Sequence, residues 1–119
     1  MAIGITLKIS EYILECDKKL KPEEQTIFTL KPLSAKEYAE AQDNIIVDKS
    51  RIKNFSSYSL EVLRLGLKGW KNFRDQAGVE IPFSEDIDEN INWLDISYRY
   101  ELSTRITELS SLPESKKKN

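Results

Sequence analysis

One run of acidic residues carries side chains that could bind a cation. Residues 85–90 read Glu-Asp-Ile-Asp-Glu-Asn, and Asp86, Asp88 and Asn90 could take the first, third and fifth ligand positions of a calcium loop. Ile91 stands where that loop needs glycine, and Ser97 where it needs a bidentate glutamate. The alternative is that these acids begin a helix, where the helix dipole favours negative charge. We favour this second interpretation and predict no metal.

Nucleophilic and zinc chemistry need residue types that this chain lacks. It contains no histidine and a single cysteine, Cys16. That composition excludes a Cys/His zinc site and a Cys-His or Ser-His-Asp system. None of the four glycines has the spacing of a phosphate-binding loop. The sequence therefore predicts a protein that is not an enzyme and needs no cofactor, with Cys16 as a small apolar residue in or near a strand.

Basic and aromatic residues are the best candidates for binding a partner. The basic residues recur at helical spacing, and aromatic residues lie among them: Arg64, Lys68, Lys71 and Arg74 with Trp70 and Phe73. This pattern is typical of a patch for an acidic partner or nucleic acid, or of a solvated helix face, which we favour. Both tryptophans are expected in the core, but Trp93 has a polar neighbour and is the better candidate for an exposed anchor. The partner-binding candidates are Trp70, Phe73, Trp93, Arg64, Lys68 and Lys71.

Composition indicates one modest core under a heavily charged surface. Of 119 residues, 39% are hydrophobic and 32% are charged, and the net charge is −2. This balance does not favour a nucleic-acid or membrane-surface partner. The first residues lack the pattern of a signal peptide, no apolar run approaches the ~20 residues that span a bilayer, and one cysteine suits a reducing compartment. We expect a cytoplasmic protein whose partner is another protein.

The first half of the chain predicts a hairpin and a helix. Alternation of Ile3, Ile5, Leu7 and Ile9 with small or polar residues predicts a half-buried strand that continues toward Cys16. Residues 17–25 are expected to form a loop, and residues 26–30 a returning strand. Ser34 and Glu37 form a capping box that begins a helix reaching about residue 44. A loop or frayed helical turn is expected over residues 44–57.

The second half predicts helices. Apolar residues three and four apart predict a central helix over residues 57–75, in which Gly66 and Gly69 allow a neighbouring backbone to approach closely. We expect that helix to end at Ala77-Gly78, residues 79–83 to be extended, and Ser84 to begin another helix. Asp95 is expected to cap the last helix, which Pro113 stops. Its inward residues should be Ile96, Tyr100, Leu102, Ile106 and Leu109.

These elements predict an α+β fold in a single domain. An N-terminal antiparallel β-hairpin should be followed by three to four packed α-helices over residues 1–112. Residues 113–119 are expected to be a flexible, basic, disordered tail.

From Thr26 onward the chain resembles the small tail assembly chaperones of long-tailed bacteriophages. The resemblance covers most of the chain and lies in four stretches: residues 28–34, residues 65–75 followed by 78–84, residues 101–110 and the terminal Lys-Lys-Lys-Asn. Its most distinctive part is a Gly-Trp-x-Asn-Phe sequence, then a turn, then Ile-Pro-Phe. The resemblance implies a non-enzymatic protein that binds the tape measure protein and assists tail tube assembly in the host cytoplasm, and it leaves the tail tube protein open as a second partner. It implies no cofactor and leaves a homo-oligomer open.

Three other function classes fit the sequence less well. A phage-encoded inhibitor that binds a host defence protein would have the same small, charged and catalytically empty profile. A nucleic-acid-binding accessory protein is disfavoured by the net charge of −2. A small metal-dependent enzyme is weaker still, because the acidic run departs from the calcium-loop pattern.

Overall fold

A computed structural model describes residues 1–5, 7–42, 46–48, 51–52 and 55–111 of the chain. Its strands and helices follow in the order β1 (Ser10–Tyr12), β2 (Ile27–Leu30), α1 (Ala35–Gln42), β3 (Ile46–Asp48), β4 (Arg51–Ile52), α2 (Phe55–Gly66), β5 (Leu67–Lys71), α3 (Ile87–Asn92) and α4 (Ile96–Leu109). The α+β class is confirmed, with an antiparallel hairpin early in the chain and four α-helices among the described residues. The expected tail over residues 113–119 lies outside them.

The hairpin strands β1 and β2 belong to a three-stranded antiparallel sheet in the order β1-β2-β5, with β2 at its centre. Phe28 on β2 lies opposite Tyr12 on β1 and opposite Trp70 on β5. The predicted loop between β1 and β2 contains two 3-10 turns. Its end is fixed by Asp17, whose carboxylate accepts a hydrogen bond from the Thr26 amide at 3.0 Å.

The N-terminal strand is much shorter than the sequence predicts. It begins at Ser10, and the apolar residues before it are 45–60% exposed: Ile3, Ile5, Leu7 and Ile9. Because Ser10 pairs with Leu30, earlier residues would have to pair with residues after Leu30. Pro32 has no amide hydrogen to donate to such a strand, and the chain soon leaves the sheet to begin α1. The strand therefore has no partner before Ser10. Cys16 is also not in a strand, since it lies exposed in a 3-10 turn.

The capping box is confirmed at the start of α1. The Glu37 amide donates to Ser34 Oγ at 3.2 Å, and Glu37 Oε1 accepts from the Ser34 amide at 2.9 Å. Lys31 Nζ also donates to Glu37 Oε1, at 2.7 Å. The helix ends at Gln42, slightly earlier than expected. In the described part of residues 44–57, β3 and β4 form a small antiparallel pair instead of the expected loop.

The capping box predicts a specific pH dependence. Burial alone would raise the pKa of Glu37, but the hydrogen bonds from Lys31 and Ser34 outweigh it and lower the pKa below its ordinary 4.5. A lowered pKa in the folded state stabilises the protein above the ordinary value, and this stabilisation is lost as pH falls through the lowered one. Glu37→Gln should cost about 0.5–1 kcal/mol near pH 7 and less toward pH 3. Urea denaturation between about pH 7 and pH 3 measures the difference in unfolding free energy between the original chain and the variant. A difference that stays the same at every pH would contradict the lowered pKa of Glu37.

The predicted central helix over residues 57–75 is wrong beyond Gly66. The chain leaves α2 there and continues directly as β5, which pairs with β2. The Lys31 amide donates to the Gly66 carbonyl at 2.8 Å, so the end of β2 holds the point where the helix stops. The predicted close approach at Gly66 is confirmed, because a Cβ would lie 2.7 Å from two Ile106 carbons and 2.9 Å from the Lys31 carbonyl oxygen.

A tight turn, and not a helix end, contains Ala77 and Gly78. Arg74 and Glu80 form an isolated antiparallel bridge across it, and the Ile81 amide donates to the Phe73 carbonyl at 2.7 Å. Gly78 has φ +83°, a left-handed conformation that suits glycine. The expected extended segment over residues 79–83 forms the return arm of this turn.

The last two helices begin at aspartate caps. Asp86 caps α3 by accepting from the Asp88 amide at 3.1 Å, so the cap lies two residues after the expected Ser84. Asp95 caps α4 as predicted, accepting from the Ser97 amide at 2.9 Å. Most of the inward residues expected on α4 are buried or partly buried, but Ile96 is exposed because it occupies the first helical position.

The core lies between the sheet, α2 and α4. It is built from these buried residues: Leu14, Phe28, Leu30, Leu33, Ala41, Tyr58, Val62, Leu63, Leu67, Trp70, Phe73, Ile81, Ile91, Leu94, Leu102 and Ile106. The longest helix of the described residues, α4, has 14 residues, and none is both long and apolar enough to cross a membrane.

Candidate protein-binding groove

The basic residues do not form one helical stripe. Arg64 lies on α2, where its guanidinium donates to Asp88 at 2.7 Å and to Glu61 at 2.9 Å. These hydrogen bonds raise the pKa of Arg64 and join α2 to α3. Lys68 and Lys71 are exposed on β5, and Lys71 Nζ lies 3.6 Å from a Glu11 carboxylate oxygen. The predicted stripe required the helix to continue past Gly66, so it is lost with that helix.

Trp70 is a core residue and its indole is not available to a partner. Only 9% of its surface is exposed, and its Nε1–H donates to the Ile81 carbonyl at 2.7 Å. Its ring meets three phenylalanine rings at centroid distances of 4.8 to 6.2 Å: Phe28, Phe73 and Phe83. The expectation that Trp70 lies in the core is confirmed. As a binding candidate, it can act only by supporting its neighbours.

Phe73 and Trp93, two of the candidate residues, line the same groove. Its volume is about 650 Å³, and its lining comprises Phe73, Arg74, Asp75, Gln76, Ala77, Ile81, Trp93, Asp95 and Tyr98. Phe73 is 9% exposed and belongs to the inner wall. Trp93 is 50% exposed, so the expectation that it lies in the core is wrong. We call this feature the Trp93 groove.

The short helix α3 forces Trp93 outward. Ile91 and Leu94 are both 2% exposed and anchor the chain on either side of it. The Trp93 amide closes the helix by donating to the Asn90 carbonyl at 3.1 Å. Asn90 is itself buried, and its side chain exchanges two hydrogen bonds with the Ser84 backbone at 2.7 and 2.8 Å. These contacts fix the backbone on both sides of the exposed indole.

The opposite wall is placed by the turn that follows β5. Asn72 adopts φ 59°, and its side-chain amide donates to the carbonyls of Glu23 and Gln25 at 2.9 and 3.1 Å. Asparagine tolerates this left-handed conformation better than most residues. The reversal directs the chain from Phe73 into the bridged turn.

The charged groups of the groove are held by the protein itself. Asp75 accepts from the amides of Ala77 and Val79 at 2.9 and 3.0 Å. Hydrogen bonds from Ser97 lower the pKa of Asp95, and burial raises the pKa of Tyr98, so the first stays charged and the second neutral near pH 7. The groove therefore offers an apolar and aromatic surface with a fixed polar rim.

The acidic run serves local structure. Asp86 is a helix cap, Asp88 pairs with Arg64, and Glu89 lies 3.3 Å from Ser84 Oγ. No group of three or more His, Cys, Asp or Glu side chains in the described part of the chain is placed to hold a metal ion.

A second groove, of about 550 Å³, was not predicted from the sequence. The N-terminal segment crosses the start of α1 and the end of α4 there, and the lining consists of Ile5, Leu7, Leu33, Ser34, Ala35, Tyr38, Thr107, Ser110 and Ser111. The alternation of apolar residues before Ser10 is the available signal, but it predicts a half-buried strand.

Comparisons with protein-family models, with curated proteins and with solved structures find no match to this chain. Its function is therefore inferred from the residues, their geometry and the resemblance noted in the sequence.

Proposed function

We propose that the chain is a non-enzymatic tail assembly chaperone that binds the tape measure protein through the Trp93 groove. The observation that carries the binding proposal is the half-exposed indole of Trp93 beside the apolar wall of Phe73 and Ile81. Tryptophan is the residue type most enriched in binding hot spots, because a large rigid ring contributes much contact area at little entropic cost.

The size of the groove suits side chains of a protein partner. A volume of about 650 Å³ accommodates a few large apolar side chains. A long helical client presents such side chains at every third and fourth position. A rigid aromatic groove is a suitable receptor for that apolar stripe.

The proposed chaperone role rests on the resemblance, and the most distinctive stretch of that resemblance also builds the groove. Gly69 to Phe73 form the end of β5 and the reversal at Asn72, while Ile81 to Phe83 pack against Trp70. Of this stretch, Phe73 and Ile81 line the groove. This supports a binding function more than a catalytic one.

Trp93→Ala should weaken binding of the tape measure protein by at least about 30-fold, which corresponds to a hot-spot loss of 2 kcal/mol. Leu20→Ala is the matched control, because Leu20 is also an exposed apolar side chain but lies outside the groove. Both variants should keep the melting temperature of the original chain. Co-expression with the tape measure protein from the same genome, followed by titration of the purified complex, measures the effect.

The two parts of the proposal fail in different ways. If no complex forms and the client remains equally insoluble, the chaperone role is wrong, and an inhibitor of a host protein becomes the better account. If a complex forms and both variants bind equally well, the chaperone role stands but the groove is not its binding surface.

A further inference from the structure

The Trp93 groove adjoins a smaller cleft, whose volume is about 340 Å³. The residues that line both of them are Phe73, Arg74 and Tyr98. Trp93 lines only the groove, whereas Glu23 and Glu24 line only the smaller cleft, which we call the acidic cleft. Because the groove and the cleft share three lining residues, they form one surface, and a partner segment that lies along it passes from the indole to the two glutamates.

This combined surface carries more acidic than basic side chains. Five carboxylates belong to its lining: Asp17, Glu23, Glu24, Asp75 and Asp95. Among the described residues that line it, the only basic side chain is Arg74. Its guanidinium donates to Asn72 Oδ1 at 3.0 Å and to the Gly78 carbonyl at 3.1 Å, and both of these acceptors are neutral. The surface therefore has an excess of negative charge.

The protein does not neutralise these carboxylates itself. In the part of the chain that the structure describes, the ion pairs involve other acids, and none of the five takes part in one. The side chains of Glu23 and Glu24 are exposed and make no hydrogen bond to another described residue. Both carboxylates are therefore available to a lysine or arginine of a partner.

We propose that the protein segment bound in the Trp93 groove carries lysine or arginine next to its apolar residues, and that these basic side chains lie in the acidic cleft. The inference rests on the proposed function only in taking the groove as a protein-binding surface, and it applies equally to a client other than the tape measure protein. Complementary charge of this kind speeds association and excludes wrong partners more than it raises affinity. The same excess of negative charge repels the phosphates of nucleic acid and of anionic lipid, so it favours a protein segment as the occupant.

A pair of designed helical peptides tests the charge preference. Both carry the same apolar face of leucine and phenylalanine, and one is flanked at one end by lysines where the other has glutamates. At low salt the full chain should bind the lysine peptide roughly tenfold more tightly, and the preference should shrink at high salt. In a ¹H–¹⁵N spectrum the Nε1–H signal of Trp93 reports binding in the groove, and the buried Trp70 provides the reference signal.

Glu24→Lys locates the preference in the acidic cleft. This variant should weaken binding of the lysine peptide by roughly three- to tenfold, through lost attraction and new repulsion, with an unchanged thermal melt. Glu85→Lys is the matched control, because Glu85 is also an exposed acid but lines neither the groove nor the cleft. It changes the net charge by the same amount and should leave binding of the lysine peptide within about twofold of the original.

The outcomes separate this inference from the groove on which it rests. Equal affinity for the two peptides, or an equal loss in Glu24→Lys and Glu85→Lys, would overturn the charge preference and leave the groove as a binding surface. If neither peptide shifts the Trp93 signal, the groove is not a receptor for an apolar helix, and the inference is wrong with it.

Discussion

Phe28→Ala is expected to lower the free energy of unfolding by about 3–5 kcal/mol. Phe28 is fully buried at the middle of the central strand, with Trp70 at 6.2 Å and Phe73 at 5.7 Å between ring centroids. The substitution removes the ring from this aromatic cluster and leaves a cavity, because the hydrogen-bonded strands around it cannot move in to fill the space. Since a domain of this size is stable by about 5–15 kcal/mol, the variant should be close to unfolding.

Chemical denaturation of Phe28→Ala and Phe28→Leu distinguishes the cost of a cavity from the cost of replacing Phe28 by any other residue. Phe28→Leu keeps most of the volume and should cost clearly less than Phe28→Ala. A loss below 1 kcal/mol in Phe28→Ala would mean that the aromatic cluster is not the centre of the core.

Gly66→Ala should destabilise the protein by about 1–3 kcal/mol or more, although alanine is the better helix former. The new methyl group would lie 2.7 Å from two carbons of Ile106 and 2.9 Å from the Lys31 carbonyl oxygen. Ile106 is buried, so its side chain has little room to move. The Lys31 carbonyl cannot move freely either, because the amide of the same residue is hydrogen-bonded to the Gly66 carbonyl at the end of α2.

Gly69→Ala is the matched control and should have the opposite sign. Its methyl group would lie 3.7 Å from Thr29, an ordinary contact, and replacing a strand glycine by alanine should gain up to about 1 kcal/mol. Denaturation midpoints of the two variants measure the contrast. If Gly66→Ala is as stable as Gly69→Ala, the junction of α2 and β5 is misplaced.

Local signals predicted the parts of the fold that local contacts determine. The capping box at Ser34 and Glu37, the cap at Asp95 and the strand at Ile27–Leu30 all depend on residues close in sequence. They formed where the sequence placed them. The hairpin followed because two adjacent strands with a polar connection have few other ways to pair.

The junction after Gly66 could not be predicted, because a distant strand determines it. Leu67 and Trp70 are three residues apart, which fits one helix face, and both are indeed buried. They are buried as strand residues of β5, whose pairing with β2 shifts register between Thr29 and Leu30. Pairing with β2 overrode the helical period, and the two glycines in the segment were the available warning.

The candidate site was only partly predictable, because distant parts of the chain also determine it. Both tryptophans are expected in the core, and for Trp93 this is wrong. Its polar neighbour marks it as the better candidate for an exposed anchor, and it is exposed between the buried residues Ile91 and Leu94. Its position beside Phe73 depends on a turn some twenty residues earlier, which sequence spacing alone does not reveal. The basic residues were grouped only by the helical period, so they separated when the helix ended.

The indole signals of the two tryptophans test the central claim most directly, because the chain contains only Trp70 and Trp93. In a ¹H–¹⁵N spectrum recorded during titration with the tape measure protein, the Trp93 Nε1–H signal should shift or broaden. The Trp70 signal should stay nearly unchanged, since its Nε1–H is held by the Ile81 carbonyl at 2.7 Å. A complex that forms while the Trp93 signal stays in place would contradict binding through the Trp93 groove.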